Sequence, residues 1–260
     1  MANTLGEPLG ESAEDVAGRA AAPPRAACHS GCLACDWPYA EAMVDAQGQG
    51  QSTADAAALQ EAKALLREAV LLRRETRTAA ERTQQDLARF AQLQKALEPS
   101  LGGLQTVSVY LSTGAEPSTL QLIGWLAAHD ITVLLPVLSG GPDGIRKSQP
   151  DWAPYGGPDR LRIGPHSILE PTTAPLGPQA LARADLVIAS ALAASAEGDR
   201  LGRGGGWYDR ALEHASQAAE TWVLLNDEEV LKIIPTQAWD RRVDVLVTPS
   251  RLIRTSPHAA

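Results

Sequence analysis

Residues 198–210 combine glycines and arginines in the pattern of a loop that binds phosphate. The interleaved residues are Arg200, Gly202, Arg203, Gly204, Gly205, Gly206 and Arg210. Because glycine has no Cβ, consecutive backbone N–H groups can converge on an anion, and guanidinium groups can neutralise its charge. A helical pattern that begins near Tyr208 would direct its positive N-terminal end at the same place. The alternative is a glycine turn with solvated arginines, which the interleaving of the two residue types disfavours.

Length and composition restrict the class of protein. The chain has 260 residues, 44% of them hydrophobic, which is enough for one sizeable domain. No apolar stretch approaches the roughly 18 residues of a membrane span, and the N-terminus lacks the basic and apolar regions of a secretory signal. Both features predict a cytoplasmic protein without a membrane partner. The net charge of −8 argues against general nucleic-acid binding. The oligomeric state stays open, with a monomer favoured.

The acidic character is concentrated in an N-terminal extension. Residues 1–58 hold eight acidic and two basic residues, which leaves the rest of the chain nearly balanced. Residues 1–55 are rich in Ala, Gly, Gln and Pro and have few large aliphatic side chains. They cannot bury enough apolar surface to offset the entropy lost on ordering. We therefore predict a mostly disordered segment, 1–56, followed by one domain, 57–256.

All three cysteines, Cys28, Cys32 and Cys35, lie in this extension. Their C-x3-C-x2-C spacing matches the cluster-binding spacing of radical SAM enzymes, and His29 could complete a zinc site. Those enzymes place the motif at the start of a large barrel, whereas a Gln- and Ala-rich segment follows here. A chance cluster is therefore the favoured interpretation. The rest of the sequence contains no cysteine, which excludes thiol catalysis by that part of the chain.

Two helices are predicted before the first strand. A helical pattern begins near Ala56, and Lys63, Arg67 and Arg74 fall on one of its faces. Thr78 and Glu81 have the spacing of a capping box, which predicts a second helix from there to about residue 97.

Strands and helices then alternate along the chain. Apolar or β-rich runs predict strands at 106–111, 131–135, 186–189, 222–225 and 243–247, with helices at 119–128 and 208–219. This alternation is typical of a three-layer, Rossmann-like α/β domain with a largely parallel sheet. Ligands bind such sheets beyond the carboxyl ends of the strands, which is where the glycine-rich loop falls.

The run Arg200–Arg210 closely resembles the signature of the 5-formyltetrahydrofolate cyclo-ligase family, also called 5,10-methenyltetrahydrofolate synthetases. The family pattern ends in Gly-aromatic-Tyr-Asp, which Gly206–Asp209 satisfies. Other family landmarks occur in the same order over about residues 59–254. They are Lys63, Arg67, Tyr110, Glu116, Pro136, the Ile-x-Glu-Pro element Ile168–Pro171, and the C-terminal set Pro235, Asp240, Asp244, Thr248 and Pro249.

The resemblance implies ATP- and Mg²⁺-dependent conversion of 5-formyltetrahydrofolate to 5,10-methenyltetrahydrofolate. Phosphoryl transfer requires mainly positioning and charge stabilisation, so an acid–base dyad is not needed. The implied catalytic residues are Arg203 and Lys63, and Asp209 would hold Mg²⁺ through phosphate oxygens. The implied nucleotide-binding residues are Lys63, Arg67, Arg200, Gly202, Arg203, Gly204, Gly205, Gly206, Trp207, Tyr208 and Asp209. The implied folate-binding residues are Tyr110, Glu116, Trp152, Tyr155 and Tyr208.

Each assignment has an alternative that the residues leave open. Lys63 and Arg67 also fit an ordinary solvated helix face. Asp209 could cap the loop or pair with its neighbour Arg210. Glu116 could be an acid favoured by the dipole of a first helical turn, and Tyr208 could be a core residue.

Four positions depart from the family pattern. Ser190, Ser195 and Trp239 stand where a proline, an aspartate and a histidine are usual, and Ser167 replaces a glycine. Ser190 and Ser195 lie on a loop that should face the ligand. They support a second hypothesis, a catalytically weakened relative that binds folate or nucleotide without turnover. The cysteine cluster supports a third, a metal or cluster protein.

Overall fold

The computed structural model describes residues 53–139 and 149–256. Its first two helices form a pair, α1 (Thr53–Glu75) and α2 (Ala79–Leu97). The predicted capping box at the start of α2 is confirmed: Thr78 Oγ1 accepts from the Glu81 N–H at 3.2 Å, and the Glu81 carboxylate accepts from the Thr78 N–H at 2.7 Å. Two further helices are α3 (Leu120–Ala128) and α4 (Trp207–Ala211). None of the described helices is long and apolar enough to cross a membrane.

Twelve strands are present in the described residues. In chain order they are β1 (Thr106–Val109), β2 (Thr132–Pro136), β3 (Trp152–Pro154), β4 (Leu161–Ile163), β5 (Leu169–Pro171), β6 (Leu186–Ala189), β7 (Ala193–Ser195), β8 (Arg200–Leu201), β9 (Glu220–Leu224), β10 (Val230–Leu231), β11 (Val245–Val247) and β12 (Leu252–Arg254). Seven of them form the central sheet in the order β12-β11-β9-β6-β1-β2-β3.

The central sheet is parallel except at its edges. The five strands from β11 to β2 pair in parallel, and the edge strands β12 and β3 are antiparallel to their neighbours. The parallel strands are mostly apolar and buried because helical elements cover the sheet. Helices α2 and α3 contact each other and the strands β11 and β2, and a 3-10 segment, Pro178–Arg183, contacts β3. The predicted three-layer α/β fold with a largely parallel sheet is confirmed.

The order of the strands reverses between β1 and β6. From β1 the chain moves to β2 on one side, whereas β6, β9 and β11 follow one another on the other side. The connections after β1 and β6 therefore leave in opposite directions and open a crevice at the carboxyl ends of these two strands.

A second sheet carries the glycine-rich loop. Its three strands have the order β10-β7-β8, and the loop follows β8 directly. Helix α1 packs on this sheet through a small apolar cluster of Val70, Leu192, Ala193, Leu201 and Ile234. This packing places the basic face of α1 beside the glycine-rich loop.

The predicted helix 208–219 is wrong in its extent. Helix α4 ends at Ala211 and continues only as a 3-10 turn, Leu212–His214. Beyond it, Ser216 uses its hydroxyl and its carbonyl to accept the N–H groups of Ala218 and Ala219. Serine side chains that bond to nearby backbone compete with helix propagation, which explains the early end. The edge strands were not predicted either, because three-residue strands give too short a pattern.

Candidate active site

Glu116 and Arg203 meet across the crevice between β1 and β6. Glu116 lies in the loop after β1, and Arg203 lies in the glycine-rich loop. The Oε1 atom of Glu116 is 2.9 Å from both Nε and Nη2 of Arg203. The Glu116 side chain is 8% exposed and that of Arg203 is 43% exposed, so the pair lies at the mouth of the crevice. Two residues predicted to contact different ligands thus contact each other.

Backbone contacts hold the Glu116 loop in place. The Thr113 N–H donates to Glu116 Oε2 at 2.9 Å, and the buried Tyr110 hydroxyl donates to the Pro117 carbonyl at 2.7 Å. Burial and the nearby Glu116 raise the pKa of Tyr110, so its hydroxyl stays a donor. The structure therefore places Tyr110 in the core, where it positions Glu116, instead of on an open ligand-facing surface.

The glycine-rich loop needs glycine for different reasons at different positions. Gly204 and Gly206 have φ values of +99° and +60°, which side-chain-bearing residues rarely adopt. A Cβ on Gly202 would lie 2.9 Å from Arg200 Nη1. At Gly205 the φ value is not left-handed, and a Cβ would meet no atom of the described residues within 4 Å apart from its chain neighbours. The space beside Gly205 is therefore open to a ligand.

Helix α1 contributes Arg67 and Lys63 to the same region. Arg67 Nε donates to the Gly202 carbonyl at 2.9 Å, and its guanidinium would contact a Cβ on Gly204. Burial lowers the pKa of Arg67, and the carboxylates of Asp240 and Asp209 partly oppose this shift. Both carboxylates therefore lie near this guanidinium. Lys63 is only 4% exposed and forms an ion pair with Asp240, so the solvated-face alternative is wrong for this residue.

Asp209 pairs with Arg200 and not with the adjacent Arg210. Its Oδ1 atom accepts from Arg200 Nη2 at 2.6 Å and from the Arg241 N–H at 3.3 Å. Arg210 donates instead to the Gly205 carbonyl. Arg200 also donates to the Ser190 carbonyl, while its buried Nε–H finds no acceptor among the described residues. A buried donor without an acceptor is costly, and an anion at this place would satisfy it.

A cavity of about 210 Å³ borders the glycine-rich loop on its Arg200 side. Its lining is Asp199, Arg200, Thr236, Gln237, Ala238, Asp240, Arg241 and Arg242. Sequence reasoning assigned no role to Arg241 and Arg242, which directly follow the family landmark Asp240. The arginine pair beside a landmark aspartate was the available signal.

Of the aromatic residues near the loop, Trp152 and Tyr208 are buried, whereas Trp207 and Tyr155 are partly exposed. Trp152 is fully buried, and its ring lies 5.0 Å from that of Trp207 in an edge-on arrangement. Tyr208 is also buried, and burial raises its pKa. Both rings contact Trp207 at the start of α4. Tyr155 is half-buried beside the core.

The five-residue length of α4 changes the expected electrostatics. A full helical dipole was predicted to point at the loop, but so short a helix aligns few peptide groups. The positive charge of this region therefore comes mainly from the guanidinium groups of Arg67, Arg200 and Arg203 and from the Lys63 ammonium.

A buried ionic cluster fixes α1 and α2 to the strand ends. Arg74 donates to both carboxylate oxygens of Glu229 at 2.8 and 2.7 Å and to the Ala191 carbonyl at 3.0 Å. Arg89 on α2 donates to Asn226, which donates in turn to Glu229. Burial would raise the pKa of Glu229, but Arg74 and the Asn226 amide groups hold it below its ordinary value.

Two of the positions that depart from the family pattern, Ser195 and Ser190, have scaffold contacts. Ser195 is fully buried, and its hydroxyl accepts from the Asp199 N–H. Ser190 supplies the carbonyl that Arg200 contacts. Ser167 has a φ of +59°, a conformation that the usual glycine would adopt without strain. The following element positions Glu170, which is buried and accepts from Ser139 and Arg162.

The cysteine cluster, Cys28, Cys32 and Cys35, lies outside the described residues. Within 53–139 and 149–256, no group of three or more His, Cys, Asp and Glu side chains could hold a metal ion. Asp209 and Asp240 are the carboxylates next to Arg67 that could supply oxygen ligands to a cation.

The family model and the relatives that match this chain all belong to one enzyme family. The model of the 5-formyltetrahydrofolate cyclo-ligase family matches residues 59–249. A 5-formyltetrahydrofolate cyclo-ligase of Mycolicibacterium smegmatis is 34% identical over 161 residues, which are 60% of this chain and 82% of that protein. The Escherichia coli protein of the same name is 28% identical over 183 residues, 70% of this chain and 98% of its own.

Solved structures agree with the sequence matches. The solution structure of the Aquifex aeolicus 5,10-methenyltetrahydrofolate synthetase has a TM-score of 0.63 at 25% identity and covers 76% of this chain and 95% of its own. A Mycoplasma pneumoniae synthetase, with a TM-score of 0.57 at 17% identity over 72% of this chain and 98% of its own, shares the fold.

Proposed function

The chain belongs to the 5-formyltetrahydrofolate cyclo-ligase family, whose members are ligases, and we propose that it converts 5-formyltetrahydrofolate to 5,10-methenyltetrahydrofolate with ATP and Mg²⁺. The observation on which the proposal chiefly rests is the contact between Glu116 and Arg203. It joins a loop suited to folate and a loop suited to phosphate at the switch point of the sheet.

Three features of the glycine-rich loop fit a triphosphate. The space beside Gly205 is open where a Cβ would project. Arg200 has a buried N–H without an acceptor among the described residues. Arg67 supplies a guanidinium group beside Gly202 and Gly204, and Arg203 supplies one from within the loop. Oxygen-rich anions prefer donors and charges of this kind.

Asp209 and Asp240 fit a magnesium ion that is held mainly by phosphate. Mg²⁺ takes oxygen ligands, keeps several waters and commonly uses one or two carboxylates with substrate phosphates. Asp209 was predicted for this role, and Asp240 lies near the same guanidinium of Arg67. Asp209 already pairs with Arg200, and Asp240 pairs with Lys63. A magnesium ion would therefore compete with these two cationic side chains.

Glu116 is suited to the pterin ring of the folate. Its carboxylate offers acceptors at the mouth of the crevice, and the N–H groups of a pterin are complementary donors. Tyr110 positions Glu116 through the Pro117 carbonyl. Trp152 and Tyr208 support the neighbouring Trp207.

The chemistry requires charge placement more than proton transfer. When bound, ATP would supply a phosphoryl group to the formyl oxygen, and Mg²⁺ would neutralise phosphate charge. The phosphorylated oxygen would leave as phosphate as N10 bonds to the formyl carbon and gives up its proton to water. Arg203 lies between the two loops and can stabilise negative charge where the two ligands meet. Lys63 and Arg67 hold their positions through Asp240 and the Gly202 carbonyl, so their charges are fixed in place. The crevice orients the two ligands toward each other.

The direct test measures the absorbance of the methenyl product. Purified full-length protein with 5-formyltetrahydrofolate should form product only when both ATP and Mg²⁺ are present, and Arg203→Ala should abolish most of this rate. Arg254→Ala, a change at an exposed arginine of the β12 edge strand that pairs with Glu220, should leave the rate unchanged. Binding of both ligands without product would favour the non-catalytic hypothesis instead.

A further inference from the structure

Trp239 is an exposed aromatic residue that lies in the chain between two lining residues of the cavity beside the glycine-rich loop, without itself lining that cavity. Its neighbours Ala238 and Asp240 both line that cavity. The residue is 40% exposed, and no hydrogen bond, ring contact or cation–π contact involves it in the described part of the chain. The other tryptophans of residues 53–139 and 149–256 are half-buried or buried and contact other rings or polar groups.

The turn that presents Trp239 is tied down on both sides. Asp240 Oδ2 accepts from the Gln237 N–H at 2.8 Å, and the Asp240 N–H donates to the Gln237 carbonyl at 3.0 Å. Lys63 donates to both side chains, and the Arg241 N–H donates to Asp209. The indole is therefore exposed on an anchored turn, where solvent exposure of a large aromatic ring gains nothing for folding.

The cavity lies next to the loop that would take the triphosphate. Arg200 lines the cavity, and its Nη1 is the atom that a Cβ on Gly202 would approach to 2.9 Å. A nucleotide with its phosphates on Gly202–Gly206 has room for its nucleoside on this side. The lining offers carboxylate, amide and hydroxyl groups to a ribose, and a base that extends past Ala238 and Asp240 would reach the exposed indole of Trp239.

We propose that Trp239 stacks on the base of the bound nucleotide and makes the site prefer purine over pyrimidine nucleotides. The proposal rests on the proposed function, since it presumes that the triphosphate lies on the glycine-rich loop. A purine presents more stacking area than a pyrimidine, so an aromatic platform discriminates between the two without reading individual hydrogen bonds.

Calorimetry with a non-hydrolysable ATP analogue tests the proposal. Trp239→Ala should weaken binding of the analogue at least fivefold, as expected for a lost base–aromatic stack. It should leave the dissociation constant of inorganic tripolyphosphate within about twofold, because that probe has no base. Trp239→Phe should retain most of the affinity for the analogue. Ile233→Ala, an exposed apolar residue just before the same turn, is the matched control.

Fluorescence gives a second readout that does not depend on turnover. Saturating analogue should change the tryptophan emission of the wild-type protein, and that change should be clearly smaller in Trp239→Phe, where Trp207 of the loop still reports on the phosphates. Replacing ATP by CTP should weaken binding to the wild type more than binding to Trp239→Ala.

The outcomes separate the two proposals. Equal affinity of the wild type and Trp239→Ala for the analogue would overturn the stacking role and leave the proposed function standing. An equal loss of affinity for tripolyphosphate would also overturn it, because the effect would then lie in the turn itself. Failure of the wild type to bind any nucleotide would overturn both.

Discussion

Lys63 on α1 and Asp240 near the C-terminus form an ion pair with an N–O distance of 2.5 Å across 177 positions of the chain. The Lys63 side chain is buried, and its ammonium also donates to the Gln237 side chain at 3.2 Å. The pair therefore fastens the turn at 237–240 to the helix that carries Arg67. A lysine expected either to be solvated or to bind phosphate has a structural partner as well.

Lys63→Ala should lower both turnover and stability. Removal of the ammonium leaves Asp240 without its cation in a mostly buried place, which costs about 1–3 kcal/mol. Urea unfolding measures the stability, and the methenyl absorbance assay measures the rate. Lys95→Ala, an exposed lysine on α2, should change neither. If Lys63→Ala unfolds like the wild type, the ion pair does not hold the turn in solution.

Gly205→Val should weaken nucleotide binding at least tenfold while the protein stays folded. The φ at this position is not left-handed, and the added Cβ meets no atom of another described residue within 4 Å apart from its chain neighbours, so the cost falls on the ligand. Gly103→Val, at an equally open glycine away from the site, is the control. If calorimetry shows unchanged nucleotide affinity in Gly205→Val, the phosphates do not bind at this loop.

Gly206→Ala should act differently from Gly205→Val. Its φ of +60° imposes left-handed strain on any residue with a Cβ, at about 1–2 kcal/mol. The melting temperature should therefore fall for this variant and not for the variant at position 205. Equal melting temperatures would mean that the loop backbone relaxes freely.

Glu116→Gln should weaken folate binding by tenfold or more with little loss of stability. The amide retains one acceptor but loses the charge that holds Arg203, and the Arg203 side chain is 43% exposed, so the pair itself contributes only about 0–1 kcal/mol. A double-mutant cycle with Arg203→Lys measures how much of the lost folate affinity comes from the broken Glu116–Arg203 pair and how much from the lost contact with the ligand. Folate affinity that is unchanged in Glu116→Gln would exclude a pterin contact at this carboxylate.

Glu229→Gln should cost about 3–5 kcal/mol, because it leaves the Arg74 charge buried and unpaired. The Arg74→Met, Glu229→Leu double variant should recover much of the loss, since it removes both charges.

The same pair predicts a dependence of stability on pH. The pKa of Glu229 is lowered in the folded state, because Arg74 and Asn226 outweigh the effect of burial. The stabilisation is therefore present above the unfolded pKa of about 4.3 and is lost as the pH falls below it. Urea unfolding between pH 7 and pH 3 should show a smaller acid loss in the double variant than in the wild type. If the free energy of unfolding falls equally with pH in both proteins, other carboxylates cause the acid sensitivity.

Ser167→Gly should stabilise the protein by about 0.5–1 kcal/mol. The left-handed φ of +59° costs a serine about 1–2 kcal/mol, which exceeds the extra entropy that glycine loses on folding. Ser100→Gly, at an exposed serine of the 3-10 turn after α2 without a left-handed φ, should destabilise slightly in the same urea unfolding experiment. A loss of stability in Ser167→Gly would mean that the backbone changes conformation there.

Local features of the sequence determined a large part of this protein. The capping box at Thr78 depends on residues three apart, and the strands at 106–109, 132–136 and 186–189 depend on short apolar runs, so each could be predicted from its own segment. The glycine-rich loop was recognisable for the same reason. The boundary of the domain near residue 57 stays a prediction from composition.

Which charges meet depends on the three-dimensional fold. Lys63 meets Asp240, Glu116 meets Arg203, and Arg74 meets Glu229 across 177, 87 and 155 positions. Helical spacing showed that Lys63 and Arg67 share a face, but it could not show that one is buried in an ion pair and the other contacts the Gly202 carbonyl. The cavity beside Arg241 and Trp239 likewise exists only because the 236–242 segment folds back onto α1 and Asp209. Periodicity reports the environment of a residue along its own element, whereas ion pairs and cavities depend on strand order and on the packing of elements that are distant in the chain.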